Sequence, residues 1–333
     1  MRTLTVPSIG AFLTIAASAV LGLGAASVAS AQSPTPPGGT SSPTSANAGT
    51  IAASVTYSNA QYATGGVSLR NKRVGAINIS GVTGAVKKAY LYWAYLYPVG
   101  TTPAANQLLG NFCRWSTGAT GGVNIACFGT LQGSRIATGA DTCWGGGGIA
   151  VYRADVTGLA NANGTYQVTL SSTQSADFNN ADPWAAPVKF PAAEGASLVL
   201  VGTGAKTVAI YDTNLAGKTF SSTLNYTLTL PGAYSSGPFL WDHIGADGQI
   251  GAGRVPGLGG ETVKINSALI SGPTAPNANS DWDGSASWPL SQLWDDTGHD
   301  ISAAVSTGAT SIAVVHTSPN GDCLSPIANV VSY

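Results

Sequence analysis

Short apolar runs separated by small and polar residues dominate the chain from Ile51 onward. The runs are rich in β-branched and aromatic residues, Gly, Asn and Asp separate them, and no stretch with helical period is longer than two turns. This pattern is typical of β-strands joined by turns. The clearest predicted strands are residues 89–97, 166–170, 196–201, 207–211, 226–230, 262–265, 311–315 and 327–331.

The same pattern predicts how the strands are arranged. Residues 89–97 and 196–201 are apolar or aromatic on both faces, which indicates strands in the centre of a packed sheet. Residues 202–205 separate two predicted strands and predict a hairpin turn. We therefore expect an all-β fold of antiparallel, jelly-roll-like sandwiches. Because single cores tend to divide beyond about 250–300 residues, we expect two sandwich domains, at residues 50–210 and 211–333.

The N-terminus has the order of segments found in secretory signals. Met1-Arg2 precedes an apolar run from Ile9 to Leu23, and small residues ending Ala29-Ser30-Ala31 follow. We predict a signal peptide over residues 1–31 with cleavage after Ala31. An uncleaved membrane anchor is the alternative, but the apolar run is shorter than the roughly 20 residues of a membrane span. Residues 32–49 contain Pro, Ser, Thr and Gly without large apolar side chains and predict a disordered linker.

Charge excludes some partner classes. The 333 residues include 14 Lys and Arg against 15 Asp and Glu, and only 9% of residues are charged. Nothing in this balance attracts the chain to nucleic acid or to an acidic membrane surface. No segment after the signal predicts a membrane span, so we expect a protein that is secreted or retained at the cell surface.

Four cysteines follow the predicted cleavage site: Cys113, Cys127, Cys143 and Cys323. In an exported protein an even number favours two disulfides, for which three pairings are possible. We favour Cys113 with Cys127, which closes a short loop and leaves Cys143 with Cys323. A zinc site of four thiolates is the alternative, but the sequence has no C-x-x-C pair and the fourth cysteine is distant.

Several short segments after residue 75 occur in a recognisable succession. They are VKKAYLYW (86–93), YRADVT (152–157), NGTY (163–166), GASLV (195–199), VAIYD (208–212), DGQ (247–249), LWD (293–295), DIS (300–302) and GDCL (321–324). Together they resemble a family of secreted prokaryotic β-sandwich proteins of unknown function, whose modules also occur in bacterial and archaeal surface proteins. The resemblance covers most of the chain after residue 75. It implies a β-sandwich fold and an extracellular setting, and it supplies no catalytic residues.

One segment suggests a metal site. Asn279, Asp281 and Asp283 place oxygen ligands at alternate positions before Gly284, as at the start of a calcium-binding loop. The twelfth position of such a loop is Leu290 instead of a bidentate Glu, so a surface turn is the alternative. The sequence therefore suggests Ca²⁺ as a cofactor.

A second acidic cluster lies in Trp294-Asp-Asp-Thr-Gly-His-Asp300, and Trp241-Asp-His243 with Asp247 repeats it loosely. These groups could serve acid–base chemistry or hold a metal, but turn and capping roles are the stronger explanation. The chain has three histidines, and His316 is expected to be packed or at the rim of a sheet. Motifs of zinc proteases, serine hydrolases and phosphate-binding loops are missing.

Aromatic residues are the other candidate functional groups. The aromatic strand 89–97 is expected to be core, whereas Trp282, Trp288 and Trp294 lie in polar sequence and predict exposed rings for sugar stacking. The favoured hypothesis is a non-catalytic protein that binds a glycan, the cell envelope or a protein partner. The alternative is a polysaccharide hydrolase or lyase, with or without Ca²⁺, and a structural surface-layer component is a third hypothesis.

Overall fold

The computed structural model describes residues 45–117, 123–181, 183, 187–212, 219–248, 260–272, 281–284, 293–318 and 322–333. These residues form strands and, at Ser302–Ala304, one short 3-10 turn. The strands are β1 (Ser45–Ala52), β2 (Val55–Ser68), β3 (Val74–Ile79), β4 (Val86–Tyr97), β5 (Asn106–Leu109), β6 (Asn111–Thr117), β7 (Val123–Cys127), β8 (Leu131–Gly139), β9 (Gly148–Asp155), β10 (Gly164–Thr169), β11 (Ala192–Thr203), β12 (Lys206–Tyr211), β13 (Thr223–Thr229), β14 (Leu240–Ala246), β15 (Thr262–Ile265), β16 (Ala268–Ser271), β17 (Trp294–Asp300), β18 (Ser311–Thr317) and β19 (Ser325–Ser332).

The predicted all-β class is confirmed, and each predicted strand overlaps an observed one. Strands that cover a core on one side alternate buried and open positions, as β13 and β18 do. β4 and β11 are buried over long continuous stretches, because both of their faces are covered. Continuous apolar character therefore predicted correctly that these two strands are central.

The strands form three sheets. A ten-stranded sheet has the order β17-β14-β19-β12-β2-β11-β4-β9-β8-β5. A four-stranded sheet, β3-β10-β6-β7, covers a core that it shares with β4, β9 and β11. A five-stranded sheet, β1-β13-β18-β15-β16, covers a second core that it shares with β12, β14 and β19. Each small sheet thus makes a sandwich with one part of the large sheet.

The large sheet also folds over on itself. Trp294 on β17 donates its indole N–H to Ser197 on β11 over 2.9 Å, although four strands separate β17 from β11 in the sheet. Arg153 on β9 likewise forms an ion pair with Asp212, which follows β12. A third core of residues from β4, β9, β11, β12, β14 and β19 fills the space between the two halves. The two sandwiches therefore lie back to back and share one continuous sheet.

The structure differs from the predicted linker, from the predicted hairpin and from the predicted domain boundary. The predicted linker 32–49 is too long, since residues 45–49 already belong to β1, which gains its order from main-chain pairing with β13 and needs no large side chains. The predicted hairpin at 202–205 is wrong, because β11 and β12 do not pair and instead both run antiparallel to β2. The predicted domain boundary between residues 210 and 211 falls inside β12. Residues 1–44 lie outside the described part of the chain.

Both favoured disulfides are present, and the described cysteines leave no free thiol. The hairpin disulfide, Cys113–Cys127, joins residues that face each other on β6 and β7. The long-range disulfide, Cys143–Cys323, closes a loop with a sequence separation of 180. It ties the middle of the chain to the segment before the last strand. The described residues also contain no helix with the length and apolar character needed to cross a membrane.

Candidate functional site

The two Trp–Asp segments singled out in the sequence lie side by side on neighbouring strands. β14 and β17 pair antiparallel, so that Trp241 faces His299 and Asp242 faces Gly298. Because side chains alternate along a strand, each segment divides between two faces. Trp241, His243 and His299 point into the core under the five-stranded sheet, whereas Asp242, Asp296 and Gly298 lie on the opposite face.

The core beneath the first face contains all three histidines of the chain. His316 is contributed by β18 of the five-stranded sheet, and both of its ring nitrogens have hydrogen-bond partners. Trp282 donates its indole N–H to His316 Nδ1 over 3.2 Å. His316 Nδ1 therefore carries no proton, and the neutral ring donates from Nε2 to the Tyr226 hydroxyl, 2.8 Å away. Tyr226 in turn donates to Asn329 Oδ1 over 3.1 Å. Burial lowers the pKa of His316 to about 3, so the imidazole remains neutral at physiological pH.

The other two histidines complete this buried cluster without forming a metal site. The ring of His243 lies 4.8 Å from that of His316, and neither of its nitrogens has a hydrogen-bond partner. Burial, and then the proximity of His316 and His299, lowers the pKa of His243 well below its ordinary value. His299 pairs with Asp281. Within the described residues, no three ionisable or thiol side chains are placed to hold a metal ion.

The structure describes two of the three predicted metal ligands, Asp281 and Asp283. Asp281 is buried and bound to His299, and Asp283 is half-buried. The main-chain N–H of Gly284 donates to Asp295 Oδ1 over 2.6 Å, which fastens this segment to β17. Asn279 lies outside the described residues, so calcium binding by the three predicted ligands stays a prediction.

The predicted exposure of the tryptophans is wrong for both described rings. Trp282 and Trp294 are buried, and each indole N–H has a polar partner inside the protein, His316 and Ser197 respectively. A buried partner for the N–H removes the penalty that otherwise keeps an indole near water. The polar neighbours in the sequence misled the prediction because they too are bound in the interior. Trp288 lies outside the described residues.

The opposite face of β14 and β17 opens into a pocket of about 230 Å³. Its walls are Tyr62, Leu240, Asp242, Gly298, His299 and Asp300. The Thr64 hydroxyl donates to Asp242 Oδ2 over 2.7 Å and fixes the carboxyl group at the wall. A side chain at position 298 would overlap this carboxyl group, so glycine is required there to leave the space open.

A second carboxyl group lies behind the pocket. Asp296 is half-buried, with its Oδ2 atom shielded from solvent, and packs against Gly66 of β2, which leaves room for it. Burial raises the pKa of Asp296 to about 7, although the neighbouring hydroxyl groups of Ser197 and Thr64 lower it, and the nearby Asp242 raises it further. Burial also raises the pKa of Asp242. Both acids therefore have raised pKa values, which is the pattern of perturbed acids found at functional sites.

Another buried ionic cluster lies apart from the pocket residues. Glu194 is the extra residue of a β-bulge between β11 and β4, which turns its carboxyl group towards the buried Arg70. Arg70 stacks on Trp144, whose N–H donates to Asp247 over 2.6 Å. Burial raises the pKa of Glu194 to about 7, although Arg70 opposes the change. The described structure buries this cluster completely, which favours a structural role.

The sequence analysis singled out some of the pocket residues and missed others. Asp242, Asp296 and His299 were noted within their clusters, but Tyr62 and Thr64 on β2 were missed. They lie more than 170 residues from Asp242 in the chain, and a Tyr and a Thr in a strand carry no local signal beyond strand formation. Two adjacent glycines, Gly65 and Gly66, are the signal that could have marked a close approach to β2.

The fold and the site define a disulfide-bonded, all-β sandwich protein with a small acidic pocket. Comparison with known protein families and with curated proteins gives no match. Among solved structures, the chain aligns with N-glycanase F (PNGase F) at 10% identity, over 82% of this chain and 95% of that one, with a TM-score of 0.22. It aligns with dimeric latent PorU from Porphyromonas gingivalis at 11% identity, over 82% and 24% of the two chains, with a TM-score of 0.25. Similarities at such TM-scores carry no argument about activity.

Proposed function

We propose that this chain is a secreted or cell-surface protein that binds a glycan, without catalysis, in the pocket formed by Tyr62, Asp242 and Gly298. The observation that carries the proposal is the pocket itself. A carboxyl group held by Thr64 stands beside a tyrosine, and a glycine keeps the space before them open.

The extracellular setting rests on the disulfides and on the N-terminal sequence. Disulfides persist in oxidising compartments and are rare in reducing ones. Both disulfides of this chain lie after the predicted cleavage site at Ala31, as expected if the signal directs export.

The ligand class follows from the chemistry of the pocket walls. A carboxyl group accepts hydrogen bonds when it is ionised and also donates one when it is protonated. The raised pKa values of Asp242 and Asp296 favour the protonated form, which suits the hydroxyl groups of a sugar. The rings of sugars also pack on aromatic and aliphatic surfaces, which Tyr62 and Leu240 offer here. The pocket is smaller than the 300–1,000 Å³ or so of typical drug-sized sites. It therefore suits one terminal sugar unit and not a long segment of a polymer.

The test is binding of the chain from residue 32 to a glycan array, followed by titration of each ligand. Asp242→Asn keeps the shape of the side chain, and we expect at least about tenfold weaker binding because hydrogen bonds to a charged group contribute about 1.5–3 kcal/mol. Asp155→Asn is the matched control, since Asp155 is exposed and paired with Lys88 on β4. The proposal is contradicted if the protein binds no glycan on the array, or if Asp242→Asn and Asp155→Asn weaken binding equally.

The second candidate function is a polysaccharide hydrolase, and the carboxyl pair Asp242 and Asp296 favours it. Hydrolysis requires one acid to protonate the leaving oxygen and one base to activate water. Release of reducing ends from an array ligand by the wild type, and its loss in Asp242→Asn, would identify an enzyme. The same assay with EDTA and with added Ca²⁺ tests assistance by the calcium ligands predicted at Asp281 and Asp283.

A further inference from the structure

The four-stranded sheet has an outer face that no other described element covers. Phe112 on β6 and Tyr166 on β10 stack in the core beneath the sheet, with ring centroids 5.5 Å apart. Because side chains alternate, Cys113 and Trp115 on β6 belong to the opposite face. The outer face is defined by this alternation and consists of Val74, Ala76, Asn78, Asn111, Cys113, Trp115, Ile125, Cys127, Thr165, Gln167 and Thr169.

The register arranges these residues in rows that cross the strands. One row runs Asn78, Thr165, Trp115, Ile125, and the next contains Gln167 and the hairpin disulfide. Neighbouring strands lie about 4.8 Å apart, so four strands give a platform roughly 14 Å wide. The disulfide between β6 and β7 fixes the strands that carry the aromatic ring.

The described residues of the outer face are all uncharged. Hydroxyl and amide groups alternate with apolar side chains. Trp115 is 36% exposed and Ile125 is 58% exposed, while Thr165 donates to Asn78 over 2.7 Å on the same row. An apolar ring beside hydroxyl and amide groups is complementary to a sugar ring, which has apolar C–H faces and a rim of hydroxyl groups.

We propose that the outer face of the four-stranded sheet binds an uncharged polysaccharide chain that lies across the strands, with a sugar ring stacked on Trp115. The platform is longer than one sugar ring, so it suits a polymer, whereas the pocket suits a terminal unit. The absence of charge favours a neutral polymer over an acidic one. A second copy of this chain fits less well, because the polar side chains of Asn78, Thr165 and Gln167 divide the apolar positions into two separate groups. The proposal does not depend on the pocket.

The test is a depletion isotherm with insoluble microcrystalline cellulose, chitin and xylan. We expect the wild type to bind at least one of these polymers. Trp115→Ala should weaken that binding at least tenfold, while Trp115→Phe, which keeps a ring, should stay within about threefold of the wild type. Val99→Ala is the matched control, since Val99 is an exposed apolar residue, 72% accessible, outside the sheet. Equal melting temperatures will show that the variants are folded.

Two outcomes overturn the proposal: the wild type binds none of the polymers, or Trp115→Ala binds as tightly as Val99→Ala. Sedimentation velocity checks the competing occupant. A wild-type dimer that Trp115→Ala dissociates, without polymer binding, would assign the face to a second copy. Asp242→Asn should retain polymer binding, and Trp115→Ala should retain binding to the array ligand, so failure of one site is distinguishable from failure of the other.

Discussion

Replacement of Asp296 by Asn tests the electrostatic account of the pocket. Asp296 is half-buried beside Asp242, with its Oδ2 atom in the interior, between Thr64, Gly66 and Ser197. Asparagine has nearly the same shape as the protonated acid but cannot ionise. The substitution therefore removes the free energy of burying a carboxylate and leaves the packing almost unchanged. We expect Asp296→Asn to stabilise the protein at high pH only.

The magnitude follows from the difference in pKa between the folded and unfolded states. Burial raises the pKa of Asp296 from the ordinary value of 3.8 to about 7. The folded state thus binds the proton more tightly, and the stability that this provides is full below the ordinary pKa and is lost as the pH rises to about 7. Three units at 1.36 kcal/mol each correspond to about 4 kcal/mol. Asp296→Asn should exceed the wild type by about this amount at pH 8 and equal it near pH 4.

Urea unfolding of the disulfide-intact protein between pH 4 and pH 8 measures this difference. Asp300→Asn is the control with the opposite sign. Asp300 is exposed, and hydrogen bonds from the side chain and main chain of Ser302 lower its pKa. Its loss should reduce stability at pH 8 and have no effect well below pH 4. The stability difference between Asp296→Asn and the wild type should grow with pH. If it does not, the placement of a protonated acid behind the pocket is refuted.

Two further predictions concern the disulfides and the histidine cluster. Replacing both cysteines of the long-range disulfide by Ser should lower the free energy of unfolding by about 5 kcal/mol, and replacing both cysteines of the hairpin disulfide should lower it by about 3 kcal/mol. The difference arises because the entropy of closing a loop rises with its length, and the sequence separations are 180 and 14. Equal urea midpoints for the two double variants would contradict this. His243→Phe should stabilise the protein by about 1–3 kcal/mol, since it removes two buried nitrogens without partners. It should also reduce the loss of stability below the ordinary pKa of 6.5, because the folded-state pKa of His243 is lowered; an unchanged acid branch in the pH profile would count against it.

Local pattern was sufficient to predict the strands and the fold class. The alternation in β13 and the continuous apolar character of β11 are properties of a few consecutive residues, and they hold wherever the strand lies. The disulfide pairing was also accessible, since Cys113 and Cys127 are close in the chain. The alternation of apolar and polar residues does not show which strand pairs with which. The prediction of a hairpin at 202–205 failed for that reason, since β2 pairs with both flanking strands.

The candidate site needed long-range information. Asp242 and Asp296 are more than 50 residues apart and meet because β14 pairs with β17 and both fold back over β2. A shift of one residue in that register would move every side chain to the other face. Trp294 shows the same limit, because its polar neighbours in the sequence predicted exposure, while the folded sheet buries the ring against Ser197.

The two faces of the β14–β17 pair therefore depend on each other. On one face, His299 is bound to Asp281, and Trp241 donates its indole N–H to Asn329 on the neighbouring β19 over 2.6 Å. These contacts fix the register that places Gly298 opposite Asp242 on the other face. His299 belongs both to this buried network and to the pocket wall, so the network sets the position of the carboxyl group that would receive a ligand. A pocket built from two distant segments thus gains its geometry from a core in which every histidine of the chain takes part.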